Sequence, residues 1–115
     1  MTYALLIYRA LHEPDPAADK RTLSGHRDVQ RDSKARGELH AVARLDDAPV
    51  ARTVRGRSGG AHEVTDGPYI ESKEWLVGFY LLDCANEGEA LDRARRLCDE
   101  RHAIEVRPVT WRLGP

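Results

Sequence analysis

Two segments of this chain are apolar at both odd and even positions. Residues 3–8 read Tyr-Ala-Leu-Leu-Ile-Tyr, and residues 77–84 read Val-Gly-Phe-Tyr-Leu-Leu-Asp-Cys. Because side chains alternate between the two faces of a strand, strands of this kind place apolar surface on both faces of a sheet. Both faces must then be covered. This requirement restricts the chain to layered folds in which something packs on each side of the sheet.

Helical patterns occur twice. The first helix is predicted to begin near Thr22 or Ser24, after a proline-containing loop over residues 12–20, and to end at Gly37. Its inward side is more polar than that of a helix that only fills a core. That side consists of Leu23, His26, Val29, Gln30, Ser33 and Ala35.

The second helix has the clearer signals. Asn86 is its predicted N-cap, and Glu89 follows three positions later in a capping-box arrangement. Its charges predict two exposed i,i+4 pairs, Glu89–Arg93 and Asp92–Arg96. The buried stripe is predicted to consist of Ala90, Leu91, Ala94, Leu97 and Cys98.

The remaining strands complete the predicted architecture. Residues 39–45 alternate strictly, residues 50–55 and 62–65 flank a turn at 57–60, and residues 103–109 form a last strand in which Pro108 favours an edge position. The order is βαββαβ with an extra hairpin, an α+β, ferredoxin-like plan in a single domain, 1–115. Both helices of that plan lie on one face of the sheet. A second copy of the chain is the predicted cover for the other face, which gives a homodimer.

Composition excludes several classes of function. The formal net charge of −1 over 115 residues argues against nucleic-acid binding. No apolar stretch approaches the ~20 residues that span a bilayer, and no signal peptide is visible, so a cytoplasmic protein without a membrane partner is expected. The two cysteines, Cys84 and Cys98, are too few for a zinc cage and are expected to be reduced and buried.

Several segments carry a family resemblance. Residues 65–74 read Thr-Asp-Gly-Pro-Tyr-Ile-Glu-Ser-Lys-Glu, residues 78–83 read Gly-Phe-Tyr-Leu-Leu-Asp, and residues 104–109 read Ile-Glu-Val-Arg-Pro-Val. With the opening strand, they resemble the DGPF branch of the YCII-related family over nearly the whole chain. The resemblance implies a ferredoxin-like fold assembled as a dimeric α+β barrel. Some relatives act on small aromatic compounds, with a His–Asp pair as the proposed active site, so the resemblance implies a similar activity. Many relatives are encoded beside extracytoplasmic-function sigma factors, which implies a regulatory partner.

His26 and Asp66 are the predicted acid/base pair. His26 lies on the inward side of the first helix, at a position that resembles the histidine of YCII relatives. Asp66 opens the Asp-Gly-Pro turn, where burial at a cavity mouth raises a carboxyl pKa toward the range of a general base. Each also has a structural interpretation. An inward histidine often serves as a hydrogen-bonded packing residue, and an aspartate in such a turn commonly bonds its own backbone.

Four further residues are predicted to bind a substrate. Lys73 and Glu74 belong to the charged run 71–74, which either lines the cavity or is simply solvated. Arg107 shares one side of the last strand with Glu105, so it either clamps an anion or pairs with that neighbour. Tyr69 is a candidate for an aromatic side chain in the wall of the cavity. The alternative role, and the commoner one for aromatic residues, is packing in the core.

Other chemistry lacks its motif. The glycines at 56–60 do not form a phosphate loop, no HExxH is present, and the five histidines are scattered, so neither a metal nor another cofactor is predicted. The leading hypothesis is a small-molecule-binding or catalytic dimer with a cavity between the first helix and the sheet. Whether it is an enzyme stays open. The alternative is a regulatory interaction module for a sigma-factor-linked protein, because Arg52, Arg55 and Arg57 cluster on the hairpin.

Overall fold

The computed structural model describes residues 1–10, 12–69 and 73–114. The chain is α+β, as predicted. Its elements in these ranges are β1 (Thr2–Ala10), α1 (Pro16–Ala35), β2 (Leu39–Arg44), β3 (Arg52–Gly56), β4 (His62–Asp66), β5 (Glu74–Asp83), α2 (Glu87–Leu97) and β6 (His102–Pro108). Within these ranges, neither helix combines the length and the apolar character that a membrane span requires.

Two separate sheets are present in the described part of the chain. The larger has the strand order β2-β5-β1-β6 with every pairing antiparallel, which is consistent with the predicted ferredoxin-like plan. β6 is an edge strand, as Pro108 led us to expect. β3 and β4 form a two-stranded sheet of their own, which is the predicted extra hairpin.

The core lies between the four-stranded sheet and both helices. On this helix-facing side, β1 and β5 contribute Leu5, Tyr80 and Leu82, all fully buried. The helices contribute Val29, Ala90, Ala94 and Leu97 to the same cluster. The alternate residues of β1 and β5 point to the other side, where Leu6, Phe79 and Leu81 are half-buried. We call this second side the open face.

The start of α1 differs from the sequence-based expectation. The helix begins at Pro16, so the prediction of a loop over 12–20 is wrong for its last five residues. The Asp15 carboxylate caps the helix by accepting a hydrogen bond from Ala18 N at 3.1 Å. Pro16 fits the first turn because its missing N–H has no helical acceptor there. Ala35 is exposed at the other end and does not join the core.

The capping of α2 is confirmed, whereas its predicted surface ion pairs are wrong. Asn86 Oδ1 accepts a hydrogen bond from Glu89 N at 3.0 Å. Arg93 instead reaches Glu38 at 3.0 Å, in a pair that is largely shielded from solvent. Likewise, Arg96 contacts Asp32 of α1 at 2.8 Å. Arg93 and Arg96 therefore join this helix to its neighbours, whereas Arg95 pairs with Asp92 within the helix. The predicted burial of Cys98 is also wrong: Cys84 is buried, Cys98 is exposed, and both are free thiols.

The β3–β4 hairpin projects from the rest of the chain. The radius of gyration is 16.2 Å, whereas a compact chain of this length has roughly 13 Å. Val54 and Val64 face each other across the hairpin, and each is about 60% exposed. An isolated two-stranded hairpin is marginally stable in water, so a further surface is expected to support this one.

Candidate functional site

A cavity of about 660 Å³ lies between α1 and the sheet. This is where the polar inner side of the first helix led us to expect one. Its walls combine apolar side chains with polar ones, and the volume falls in the range of small-molecule sites. The apolar part comes from Ile7, Leu23, Val42 and Val77, and the polar part includes Arg9, His26, Gln30, Arg44, Tyr80 and His102.

Gly78 provides space at the floor of the cavity. It stands between Ile7 of β1 and Arg44 of β2 in one row across the sheet, where any other residue would add a side chain. A Cβ atom at this position would lie 2.7 Å from the backbone oxygen of Ala43, so β2 and β5 approach too closely for one. Val77 is an extra residue beside it, because the β1–β5 register shifts between Ile7 and Tyr8.

His26 is held from the sheet side by Tyr80. The Nδ1 atom of His26 lies 2.7 Å from the Tyr80 hydroxyl, and the two rings stack with centroids 5.7 Å apart. Gln30, one helical turn further along α1, donates to the same hydroxyl at 3.0 Å. Because Tyr80 is fully buried, its hydroxyl needs these partners. The polar inner side of α1 thus forms one hydrogen-bonded network with β5.

The network shifts the titration of its members. Burial, reinforced by the positive charge of protonated His102, lowers the pKa of His26, although the Asp99 carboxylate acts in the opposite direction. Burial raises the pKa of the Tyr80 hydroxyl, and the hydrogen bond from Gln30 offsets part of that change. At neutral pH the cavity therefore contains a neutral imidazole and a neutral phenol.

Protonation of His26 is expected to destabilise the fold. Its folded-state pKa is below the ordinary 6.5, so the unfolded chain binds the extra proton more readily. The contribution of His26 to the free energy of unfolding should be highest above pH 6.5 and should decrease as the pH falls from 6.5 to the lowered pKa of the folded state. Urea denaturation at about pH 7 and about pH 5 should show a smaller decrease in His26→Gln than in the wild type.

His62 provides the matched control for this pH effect. It is exposed in the hairpin. His62→Gln should keep the wild-type pH dependence between the same two conditions. Equal pH dependence in His26→Gln and the wild type would contradict the assignment to His26.

A second histidine, which the sequence analysis did not single out, lines the same cavity. His102 is buried at the start of β6, and its Nδ1 atom lies 2.8 Å from Asp99 Oδ1. A tight turn joins the two residues, since the backbone N–H of each donates to the carbonyl of the other at 3.2 Å. The spacing Asp-x-x-His before a strand was the sequence signal for this pair. It indicates a cavity residue only once the turn and the strand register are known.

The cavity also contains two arginines. Arg9 lies opposite His102 in the β1–β6 pairing, and its guanidinium is 3.8 Å from the Asp47 carboxylate. Arg44 also lines the cavity and makes no ion pair with any residue of the described ranges. The unpaired guanidinium gives this part of the cavity a positive charge that is suited to a carboxylate.

Asp66 lies away from His26 in this chain. It is the last residue of β4, with a side chain 91% exposed, and its carboxylate is 3.5 Å from Arg52 Nε. It is not part of the cavity wall. The turn after it is formed as expected, because Gly67 adopts φ 97°. The acid/base pairing of His26 with Asp66 stays a prediction.

The four predicted substrate-binding residues lie outside the cavity as well. Tyr69 is exposed beneath the Arg55 guanidinium, 4.9 Å from its ring centroid. Lys73 and Glu74 are exposed at the start of β5, and the two residues before them in the charged run, 71 and 72, lie outside the described residues. Arg107 contacts Glu105 at 3.2 Å on the open face, which is the pairing alternative given above.

Comparison with known proteins assigns the family. The profile of the YCII-related domain matches residues 1–111. An uncharacterised protein of Rhizobium meliloti (strain 1021) is 41% identical over 115 aligned residues, which cover 95% of this chain and 92% of the relative. The chain belongs to the YCII-related family. The predicted resemblance is thereby confirmed at the level of the family.

The family assignment leaves the activity open. The description of the matched family and the name of the Rhizobium relative do not specify a substrate. Within the described ranges, no group of three or more His, Cys, Asp or Glu side chains is arranged to hold a metal ion. Any function of this YCII-related protein must therefore be argued from its cavity.

Proposed function

We propose that this YCII-related protein binds a small organic anion in the cavity between α1 and the sheet. The observation that carries the proposal is the placement of Arg44, without an ionic partner among the described residues, in a cavity with apolar walls. An unpaired guanidinium favours an anionic ligand, and a carboxylate matches its planar array of donors. Leu23, Val42 and Val77 provide the apolar contacts for the rest of the molecule.

The ligand proposed for this cavity is a small carboxylic acid with an aromatic or aliphatic body. The volume of about 660 Å³ accommodates a single substituted ring with bound water. The His26–Tyr80–Gln30 network offers polar contacts on the wall formed by α1 and β5. The neutral His26 imidazole is proposed to form a hydrogen bond to the ligand, and its acid/base role with Asp66 stays a prediction.

The proposed assembly is a dimeric α+β barrel in which two open faces pack together. Leu6, Phe79 and Leu81 supply apolar surface on that face, and both helices lie on the opposite side. Soluble monomers rarely expose a contiguous apolar patch of more than a few hundred Å². Within this chain the hairpin holds Asp66 away from His26. If Asp66 acts with His26 as predicted, the proposed source of this aspartate is the hairpin of the second copy.

Two further assignments belong to the same proposal. The Asp-Gly-Pro-Tyr turn at 66–69 supports membership in the DGPF branch. The free thiols Cys84 and Cys98 are compatible with a reducing compartment, so the cytoplasm is the proposed location.

A screen of small acids tests the binding proposal. Benzoate, 3-hydroxybenzoate and short aliphatic dicarboxylates are added to the wild type, and thermal stabilisation is followed by calorimetric titration of the acids that stabilise it. Removal of the unpaired cation by Arg44→Gln should weaken binding roughly tenfold or more, the usual scale for a charged hydrogen-bonding partner.

The control changes the same charge elsewhere. Arg27 is exposed on α1, and Arg27→Gln should bind as the wild type does. A parallel Asp66→Asn variant reports whether the turn carboxylate contributes. Equal loss of affinity in Arg44→Gln and Arg27→Gln, or stabilisation by none of the acids, would contradict the proposed function.

The projecting hairpin favours one alternative, a regulatory interaction with a protein such as a nearby sigma factor. Val54 and Val64 are exposed on it. Its arginines already have neighbours, since Arg52 contacts Asp66, Arg57 contacts Glu63 and Arg55 covers Tyr69. Co-purification of a defined partner that is abolished by replacing the three arginines with glutamine would favour this alternative. Recovery that does not depend on them would contradict it.

A further inference from the structure

We propose that the two histidines of the cavity adopt opposite tautomers in their neutral forms, with His102 as a hydrogen-bond acceptor and His26 as a donor. The tautomers follow from contacts within the chain. The ligand class derived from them rests on the proposed function. Asp99 and Tyr80 are the positioning residues, because each holds the Nδ1 atom of one imidazole.

Asp99 determines the tautomer of His102. An ionised carboxylate can only accept hydrogen bonds, so the proton between Asp99 Oδ1 and His102 Nδ1 must belong to the imidazole. Nε2 of a neutral His102 then carries a lone pair. The side chain lines the cavity, and no group in the described ranges makes a hydrogen bond to this Nε2 atom. His102 therefore offers the cavity an acceptor.

The Asp99 carboxyl is ionised at neutral pH. Burial alone would raise the pKa of this carboxyl, but hydrogen bonds from His102, Arg101 N and Thr22 hold it below its ordinary value. The distances are 2.8 Å to Arg101 N and 3.0 Å to the Thr22 hydroxyl. The tight turn over 99–102 also holds the backbones of Asp99 and His102 close together.

Tyr80 determines the tautomer of His26 in the opposite sense. Gln30 Nε2 donates to the Tyr80 hydroxyl oxygen, so the single proton of that hydroxyl is available for His26 Nδ1 at 2.7 Å. Nδ1 is then an acceptor, and a neutral His26 carries its proton on Nε2. His26 therefore offers the cavity a donor.

One donor and one acceptor in the same cavity select a ligand that has both complementary groups. The proposed ligand class is a small hydroxy acid, whose oxygen acceptor meets His26 Nε2–H and whose hydroxyl donates to His102 Nε2. Arg44 binds its carboxylate. A plain carboxylate lacks the hydroxyl, so His102 Nε2 would lose its donor in such a complex.

Long-range proton–nitrogen NMR of the imidazoles, without ligand and at a pH where the nitrogen shifts show both rings to be neutral, tests the tautomers directly. His102 should show its proton on Nδ1 and His26 on Nε2. In Asp99→Asn, the amide can donate to Nδ1, and the His102 proton should move to Nε2. In Tyr80→Phe, His26 should lose its fixed tautomer and show averaged signals, as exposed His62 does in every variant. Identical tautomers for His26 and His102 in the wild type would overturn the proposal.

Binding of a matched pair of probes tests the ligand class. We expect 3-hydroxybenzoate, whose hydroxyl cannot reach its own carboxylate, to bind the wild type roughly 5- to 10-fold tighter than benzoate, the usual scale of one hydrogen bond. This preference should disappear in Asp99→Asn. A preference that persists in that variant would overturn the role of His102. If neither acid binds, the proposed function and the ligand class both fail, while the NMR measurement decides the tautomers independently.

Discussion

Gly78→Ala should lower the free energy of unfolding by about 3 kcal/mol. The added Cβ atom would lie 2.7 Å from the backbone oxygen of Ala43, and a backbone atom between two paired strands cannot rotate away as a side chain can. Separation of β2 from β5 would also disturb Tyr80, which lies on β5 and holds His26. Chemical denaturation of the variant, with ligand binding measured on the folded fraction, reports both effects.

The matched control is Gly56→Ala in β3. At that position a Cβ atom meets nothing within 4 Å, so the variant should stay within about 0.5 kcal/mol of the wild type or be slightly more stable. If the two variants are destabilised equally, the close approach of β2 and β5 at the cavity floor is wrong.

Leu81→Lys should convert the protein from a dimer of about twice the 12.9 kDa chain mass to a monomer at micromolar concentration. Leu81 lies on the open face beside Phe79 and Leu6. Burial of even 800 Å² of apolar surface between two open faces contributes roughly 20 kcal/mol before the costs of association. A lysine at the centre of that contact places a charge within the apolar interface, which is costly.

Light scattering and melting curves over a range of concentrations measure the assembly. The wild type should melt at higher temperature as its concentration rises, whereas Leu81→Lys should melt at a temperature that does not depend on concentration. Ala35→Lys adds the same charge to an exposed position of α1 and should remain dimeric. A well-folded monomeric wild type with a concentration-independent melting temperature would contradict the dimer and the barrel.

The sequence allowed the architecture to be predicted because the apolar patterns are strong. Alternation in the strands and the capping box at Asn86 specify elements locally, and the two-faced strands require a layered fold. The start of α1 was placed too late because the two prolines at 14 and 16 were interpreted as loop formers. Pro16 after Asp15 is equally a helix-start signal, and the N-cap geometry shows that this signal decides the outcome.

The candidate site was only partly accessible from the sequence. His26 could be placed facing the sheet from helical periodicity alone. Arg44, Gly78 and His102 could not be placed, because their convergence depends on the register of β2, β1 and β6 against one another. The predicted pairing with Asp66 was based on family resemblance rather than on register, and the hairpin places that carboxylate beside Arg52 instead.

Chemical-shift mapping with 3-hydroxybenzoate tests most directly whether this cavity is the binding site. In a titration of the isotope-labelled protein, the largest saturable shifts should occur at the backbone amides of Gly78 and Val42 and at the imidazoles of His26 and His102, all of which line the cavity. The shifts should weaken in Arg44→Gln. Saturable shifts confined to the β3–β4 hairpin, or no saturable shift at any concentration that keeps the protein folded, would contradict the account.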